Sequence, residues 1–204
     1  MSVNELNLTI NRTNSINSTR ILGVIGMTFA PALYIGWFFH SDNFNEPNAN
    51  QLFSSLFGVL YLSGAMASVV AMRLLRVTGS GAGAKFLFAV QIVGLFLAMW
   101  YDIFEYAAPH LRKSTVFFIT DMAYPFSHIL MIIVGVAIIR AGVWRGWRRV
   151  PAFLVGFALP SFFGLSAVIG RENGGFVFPL FVTLGFFLLG YAVKTTDDHK
   201  VNFV

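Results

Sequence analysis

The segment FLFAVQIVGLFLAMWYDIFEYA, residues 86–107, decides the fold class of this chain. Its apolar side chains follow one another without the alternation that marks a half-buried strand. A membrane-spanning α-helix needs roughly 20 such residues, because each adds about 1.5 Å toward a hydrocarbon layer about 30 Å thick. The segment therefore predicts a transmembrane helix.

The composition of the whole chain points to the same solvent. Hydrophobic residues make up 56% of the 204 residues, charged residues only 11%, and 23 side chains are phenylalanine. One soluble core of this size could not bury so much apolar surface, so the expected partner is the lipid bilayer. The absence of cysteine excludes disulfides, thiolate metal sites and cysteine nucleophiles.

Five further apolar runs have comparable length and are also continuous. An unpaired backbone N–H or C=O group is too costly within lipid, so all of these runs are expected to be helices. We predict an all-α polytopic integral membrane protein with six transmembrane helices in residues 21–194, a polar tail at 1–20 and a short tail at 195–204. The runs are approximately Ile21 to Phe39, Leu52 to Met72, Phe86 to Ala107, Val116 to Ile139, Pro151 to Ile169 and Phe176 to Val193.

The positive charges are distributed unevenly between the two sides of this topology. Eleven lysines and arginines fall on the side of the two tails, and only Arg112, Lys113 and Arg171 fall on the other. Cytoplasmic loops carry the excess of such residues, so both termini are predicted to be cytoplasmic, most simply in a bacterial inner membrane. The positive residues behind the formal charge of +5 are therefore explained by the orientation of the chain in the membrane, and the charge gives no reason to expect nucleic-acid binding.

Two acidic residues lie near the end of the third run, and three polar residues lie in the first half of the fourth. Asp102 and Glu105 share one helix face, and Asp121, Tyr124 and His128 share another because their spacings are three, four and seven. If the chain turns midway between the runs, Asp102 and Asp121 lie at similar depth on antiparallel helices. The acids would then share a proton or recruit a cation.

Two more histidines border the same side of the membrane. His40 ends the first run and His110 lies in the turn between the third and fourth. Intramembrane ionisable groups commonly mark the path of an ion or polar solute. The sequence therefore favours an extracytoplasmic-facing acid and histidine site that binds or transports a small cation, a proton or a polar solute. A chain with only six helices would form such a pathway most readily as a homo-oligomer or with a partner.

Two alternatives remain open from the sequence. A membrane-embedded metal-dependent enzyme could use Asp102, Asp121 and His128 as ligands, but no His-x-x-x-His or Glu-x-x-His pair occurs, so the sequence leans away from an enzyme and requires no cofactor. Alternatively, Asp102 and Glu105 are hydrated and pair with basic residues such as Arg112 in a non-catalytic sensor or scaffold subunit.

Overall fold

The computed structural model describes residues 17–39 and 49–196, and these ranges contain helices and no strands. Six of the helices are long and apolar enough to cross a membrane, which confirms the predicted number and type of the spans. They are α1 (Asn17–Trp37), α2 (Ala49–Leu74), α3 (Ala82–Ala107), α4 (Thr115–Ala141), α5 (Val150–Ile169) and α6 (Arg171–Lys194). Residues 17–20, predicted to belong to the tail, already form the first turn of α1.

Local signals in the sequence explain where α4 begins and ends. The Ser114 hydroxyl accepts a hydrogen bond from the Phe117 backbone N–H at 3.2 Å, which satisfies one of the free donors of the first turn. At the other end, Gly142 adopts a φ of +68°, the left-handed conformation that glycine accepts without strain. A short 3₁₀ segment, Pro109–Lys113, connects α3 to α4.

Helix α1 is interrupted in its middle by a proline. Ala30 forms a turn and Pro31 begins the second part of the helix, because proline cannot donate the backbone hydrogen bond that would continue it. The Thr183 hydroxyl of α6 donates to the Ala30 carbonyl at 3.3 Å. This hydrogen bond ties the interrupted part of α1 to a neighbouring helix.

The six helices form a closed ring. Each packs against the next in the chain, α1 packs against α6, and α2 also contacts α6 across the centre. A Cβ atom added to Gly23 would lie 2.8 Å from the backbone of both Gly190 and Lys194, so the start of α1 and the end of α6 lie together. Large apolar side chains such as Phe86, Phe118 and Phe163 are exposed on the outside of the ring, where lipid is expected.

The two ends of the bundle differ in charge. The acidic end, as we name it, is the end at which α3 stops and α4 begins, and it carries Asp102, Glu105 and Asp121. The basic end is the opposite one, where a second 3₁₀ segment, Gly146–Arg149, connects α4 to α5. That the acidic end faces away from the cytosol remains a prediction from the loop charges.

Candidate functional site

Asp102 is a half-buried residue of α3 whose carboxyl group lies against α2. A Cβ atom added to Gly58 would lie only 2.6 Å from the Asp102 Cγ atom. The missing side chain at position 58 thus lets the carboxyl group pack directly on the α2 backbone. Within the described residues, no lysine, arginine or histidine forms an ion pair with this carboxyl, and Glu105 lies one helical turn away on α3.

Two tyrosine hydroxyls lie deeper than this carboxyl and link α2 to α4. The Tyr124 hydroxyl donates to the Tyr61 hydroxyl at 3.4 Å, and Tyr61 lies about one helical turn from Gly58, against which Asp102 packs. Tyr61 is only 1% exposed, with its ring edge-on to Phe186 at 5.6 Å. Because a tyrosine hydroxyl both donates and accepts, the pair can transmit hydrogen bonds across the bundle beside the carboxyl.

His128 lies one helical turn beyond Tyr124 on the same face of α4. Its Nδ1 atom is 3.0 Å from the Tyr124 carbonyl oxygen, which can only accept, so the neutral ring must carry its proton on Nδ1. The Nε2 atom then presents a free lone pair, and it has no hydrogen-bond partner in the described part of the chain. His128 is 2% exposed, so this acceptor is buried.

Aromatic rings of α4 and α6 pack against the imidazole, and a ring of α5 packs behind them. The His128 ring lies 4.6 Å from that of Tyr124 and 5.6 Å from that of Phe178 on α6. Phe162 of α5 contacts Phe178 edge-on at 5.9 Å. The imidazole is thus buried among aromatic rings, and such surroundings screen charge weakly, so any electrostatic interaction made there is strengthened.

The two aspartates that the sequence places at one depth do not touch each other in the described part of the chain. No hydrogen bond joins Asp102 to Asp121 among the residues described by the structure. Tyr101, next to Asp102 on α3, packs its ring against Phe117 of α4 at 5.1 Å. At this end of the bundle, the described contact between α3 and α4 is therefore made by aromatic rings.

Glu105 is buried at the acidic end and helps to close it. Its side chain is 6% exposed. Its backbone carbonyl accepts from Gln51 Nε2 at 3.0 Å and from Arg112 Nη2 at 3.4 Å, which satisfies an oxygen in the last turn of α3. The Glu105 backbone is thus covered by donors from α2 and from the α3–α4 connection.

The structure gathers some of the predicted site residues and leaves others apart. Tyr124 and His128 lie below Asp102 on the inside of the ring. Asp121 is only half-buried, and His110 is exposed in the 3₁₀ segment. His40 lies outside the described residues.

The proposed metal ligands do not form a cluster in this arrangement. Among the described residues, no group of three histidine, aspartate or glutamate side chains is arranged to hold a metal ion. Asp102, Asp121 and His128 therefore lack the convergence that a zinc or iron site requires.

Three residues of the site were not identified from the sequence. Gly58 and Tyr61 supply the α2 side of the Asp102 site, and Gln91 is a fully buried amide of α3 with no partner for either polar atom among the described residues. Gln91 gives a signal in the sequence, since an amide near the middle of an apolar run is costly in lipid. Gly58 and Tyr61 give none, because small residues and tyrosines are common in such helices.

No protein-family model matches this chain, and neither does any curated protein or solved structure.

Proposed function

We propose that this chain binds and transports a small cation, proton or polar solute through an extracytoplasmic-facing site formed by Asp102, Tyr61, Tyr124 and His128. The supporting observation is the Asp102 carboxyl group, which sits within a membrane-spanning helix and has no cationic partner in the described ranges. An isolated charge is expensive in such surroundings. The group therefore either carries a proton or is balanced by a cation that the chain does not supply.

The position of this carboxyl suits uptake from the acidic end. Asp102 lies five residues before the end of α3, which is about 7 Å along the helix axis. It is thus inside the bundle but near its acidic end, and the tyrosine hydroxyls and the imidazole follow in order toward the centre. A bound proton or cation would meet one hydrogen-bonding group after another on its way in.

Flux through proteoliposomes tests the proposal directly. Purified protein is reconstituted at known orientation, and uptake of protons, of sodium or potassium, and of small polar solutes is measured with entrapped indicators. We expect uptake of one of these species by the unmodified chain and a fall of about tenfold or more in Asp102→Asn, which keeps the shape of the side chain but removes its charge.

A matched variant controls for the loss of one negative charge. Asp198→Asn changes the same functional group in the predicted C-terminal tail, outside the described residues. It should transport like the unmodified chain. Equal flux in Asp102→Asn and the unmodified chain, or no uptake of any tested species by correctly folded protein, would refute the proposed function.

A further inference from the structure

Below the proposed site, two side chains present unpartnered polar atoms inside the bundle. The amide nitrogen and oxygen of Gln91 and the Nε2 atom of His128 have no hydrogen-bond partner among the described residues. Gln91 is 0% exposed and His128 is 2% exposed. Buried polar groups are almost always hydrogen-bonded, so each such exception calls for a physical explanation.

Helix geometry places these two residues at similar heights in the bundle. A Cβ atom added to Gly94 would lie 2.6 Å from the Ser127 hydroxyl, so these two residues of α3 and α4 are level. Gln91 lies three residues from Gly94 toward the basic end, and His128 lies one residue from Ser127 in the same direction. At 1.5 Å per residue, the two heights differ by about 3 Å.

Gln91 also faces the same way as Asp102. The two residues are eleven apart, and eleven residues at 3.6 per turn return to nearly the same angle after three turns. The buried face of α3 that includes Gln91 therefore continues to the Asp102 carboxyl about 16 Å nearer the acidic end. The bundle interior thus carries a carboxyl near its acidic end, and an amide and an imidazole nearer its centre.

We propose that Gln91 and His128 form an inner station of the same pathway, and that the species it passes is a proton carried through bound water. This inference rests on the proposed function and narrows its substrate. An amide that donates and accepts, at nearly the same height as an imidazole that accepts, can hold water in a chain of hydrogen bonds. No carboxylate lies at this height in the described part of α3 or α4, whereas divalent cations demand several oxygen ligands.

The proton balance of the transfer is simple. The Asp102 carboxyl takes a proton from the outer solvent and releases it to the water chain. His128 then accepts one proton at Nε2 and becomes an imidazolium while its Nδ1–H stays bonded to the Tyr124 carbonyl. Release of the Nε2 proton toward the basic end restores the neutral ring.

The glutamine content of the chain allows a clean test of the water. Gln51 and Gln91 are the only two glutamines, so selective ¹⁵N labelling of glutamine gives two side-chain amide signals, and Gln51→Asn assigns them. Solid-state NMR of the full chain in lipid bilayers should show transfer of magnetisation from water to the Gln91 amide. A Gln91 amide that receives none overturns the inference, whatever the effect of any substitution.

Flux measurements supply the second arm. Proton uptake is recorded with an entrapped pH dye and divalent-cation uptake with an entrapped Mn²⁺-sensitive dye. Gln91→Leu, which removes the amide at similar volume, should reduce proton uptake about tenfold or more. Leu95→Met, a substitution of similar volume one turn away on the same buried face, should leave it unchanged.

The outcomes separate this inference from the proposed function. Asp102-dependent transport of Mn²⁺ or another cation without protons would overturn the inner proton station and leave the outer site standing. Proton uptake that depends on Asp102 but is unaffected in Gln91→Leu would also overturn the inner proton station and leave the outer site standing. Absence of any Asp102-dependent uptake would overturn both.

Discussion

The carboxyl group of Asp102 rests on the backbone of α2 at Gly58, in the space that a side chain at position 58 would occupy. The contact joins the two helices at the level where the proposed pathway begins. It also makes the position of an acid in one helix depend on the absence of a side chain in the next. Gly58 is therefore the residue whose substitution should report most directly on the geometry of the site.

We predict that Gly58→Ala displaces the Asp102 carboxyl and abolishes most of the transport. The atoms nearest to the new methyl group all belong to that carboxyl, which can move, and alanine favours a helix over glycine, so the free energy of unfolding should change by less than about 1 kcal/mol. Gly83→Ala is the matched control, because a Cβ atom there meets nothing within 4 Å. That variant should transport normally. Normal flux in Gly58→Ala would show that the carboxyl position is unimportant.

The Tyr61 and Tyr124 hydroxyl groups should matter more for transport than for stability. Their separation of 3.4 Å is long for a hydrogen bond between hydroxyls. We therefore expect a coupling free energy of only about 0.5 kcal/mol in a double-mutant cycle built from Tyr61→Phe and Tyr124→Phe. Each single variant should nevertheless reduce proton uptake several-fold, because it removes a donor and acceptor beside Asp102.

Unfolding by denaturing detergent measures the coupling free energy of the two tyrosines, and flux in proteoliposomes measures the proton uptake of each variant. Tyr191→Phe serves as a control, since this tyrosine is exposed near the basic end and stacks on Trp147 at 5.6 Å. A large coupling free energy with undiminished flux would assign the tyrosine pair to the scaffold alone.

Two substitutions of His128 distinguish its proposed role as a proton acceptor from its packing between neighbouring rings. His128→Asn keeps a donor at the Nδ1 position for the Tyr124 carbonyl, and His128→Phe keeps a ring between Tyr124 and Phe178. Neither retains an acceptor that could take a proton at the Nε2 position. Both variants should thus lose about tenfold or more in proton uptake, whereas the asparagine alone should lose about 1–3 kcal/mol of stability through the cavity it leaves.

Flux and thermal unfolding of the two variants at position 128 give the comparison. Transport retained by the phenylalanine variant would rule out a proton-accepting role for the imidazole, since phenylalanine cannot take up a proton. Transport lost only in the asparagine variant would assign the effect to packing.

The sequence is sufficient for the fold because lipid restricts the alternatives so strongly. A backbone in hydrocarbon must satisfy its own hydrogen bonds, so each long apolar run becomes a helix. The predicted run from Phe86 to Ala107 differs from α3 only at its start, where the helix begins at Ala82. Such differences arise because polar or small residues at a helix end can continue the helix into the interface.

The site is less accessible to such reasoning. Helical spacing correctly places Tyr124 next to His128, because both residues are on α4 and their separation depends only on the geometry of that helix. It could not show that Asp102 faces Gly58 of α2 rather than Asp121 of α4, because the rotation of a helix about its axis depends on side-chain packing against all its neighbours. Contacts between helices therefore needed the three-dimensional structure.

The direction in which the site faces can be measured with single cysteines, because the chain contains none of its own. Lys113 lies at the acidic end and Ser80 in the connection between α2 and α3, and both are exposed. A maleimide that cannot cross membranes should label Lys113→Cys in intact cells and Ser80→Cys only after permeabilisation. This follows from the eleven lysines and arginines on the side of Ser80 against three on the other.

The cysteine-free parent chain gives the background labelling for this experiment. Proteoliposomes prepared from the same variants reveal which fraction of the protein has each orientation, which also calibrates the flux assays. Labelling of Ser80→Cys in intact cells, with Lys113→Cys protected, would place the Asp102 carboxyl toward the cytosol. In that case the pathway would load from inside the cell, because Asp102 lies near the acidic end and His128 lies deeper in the bundle.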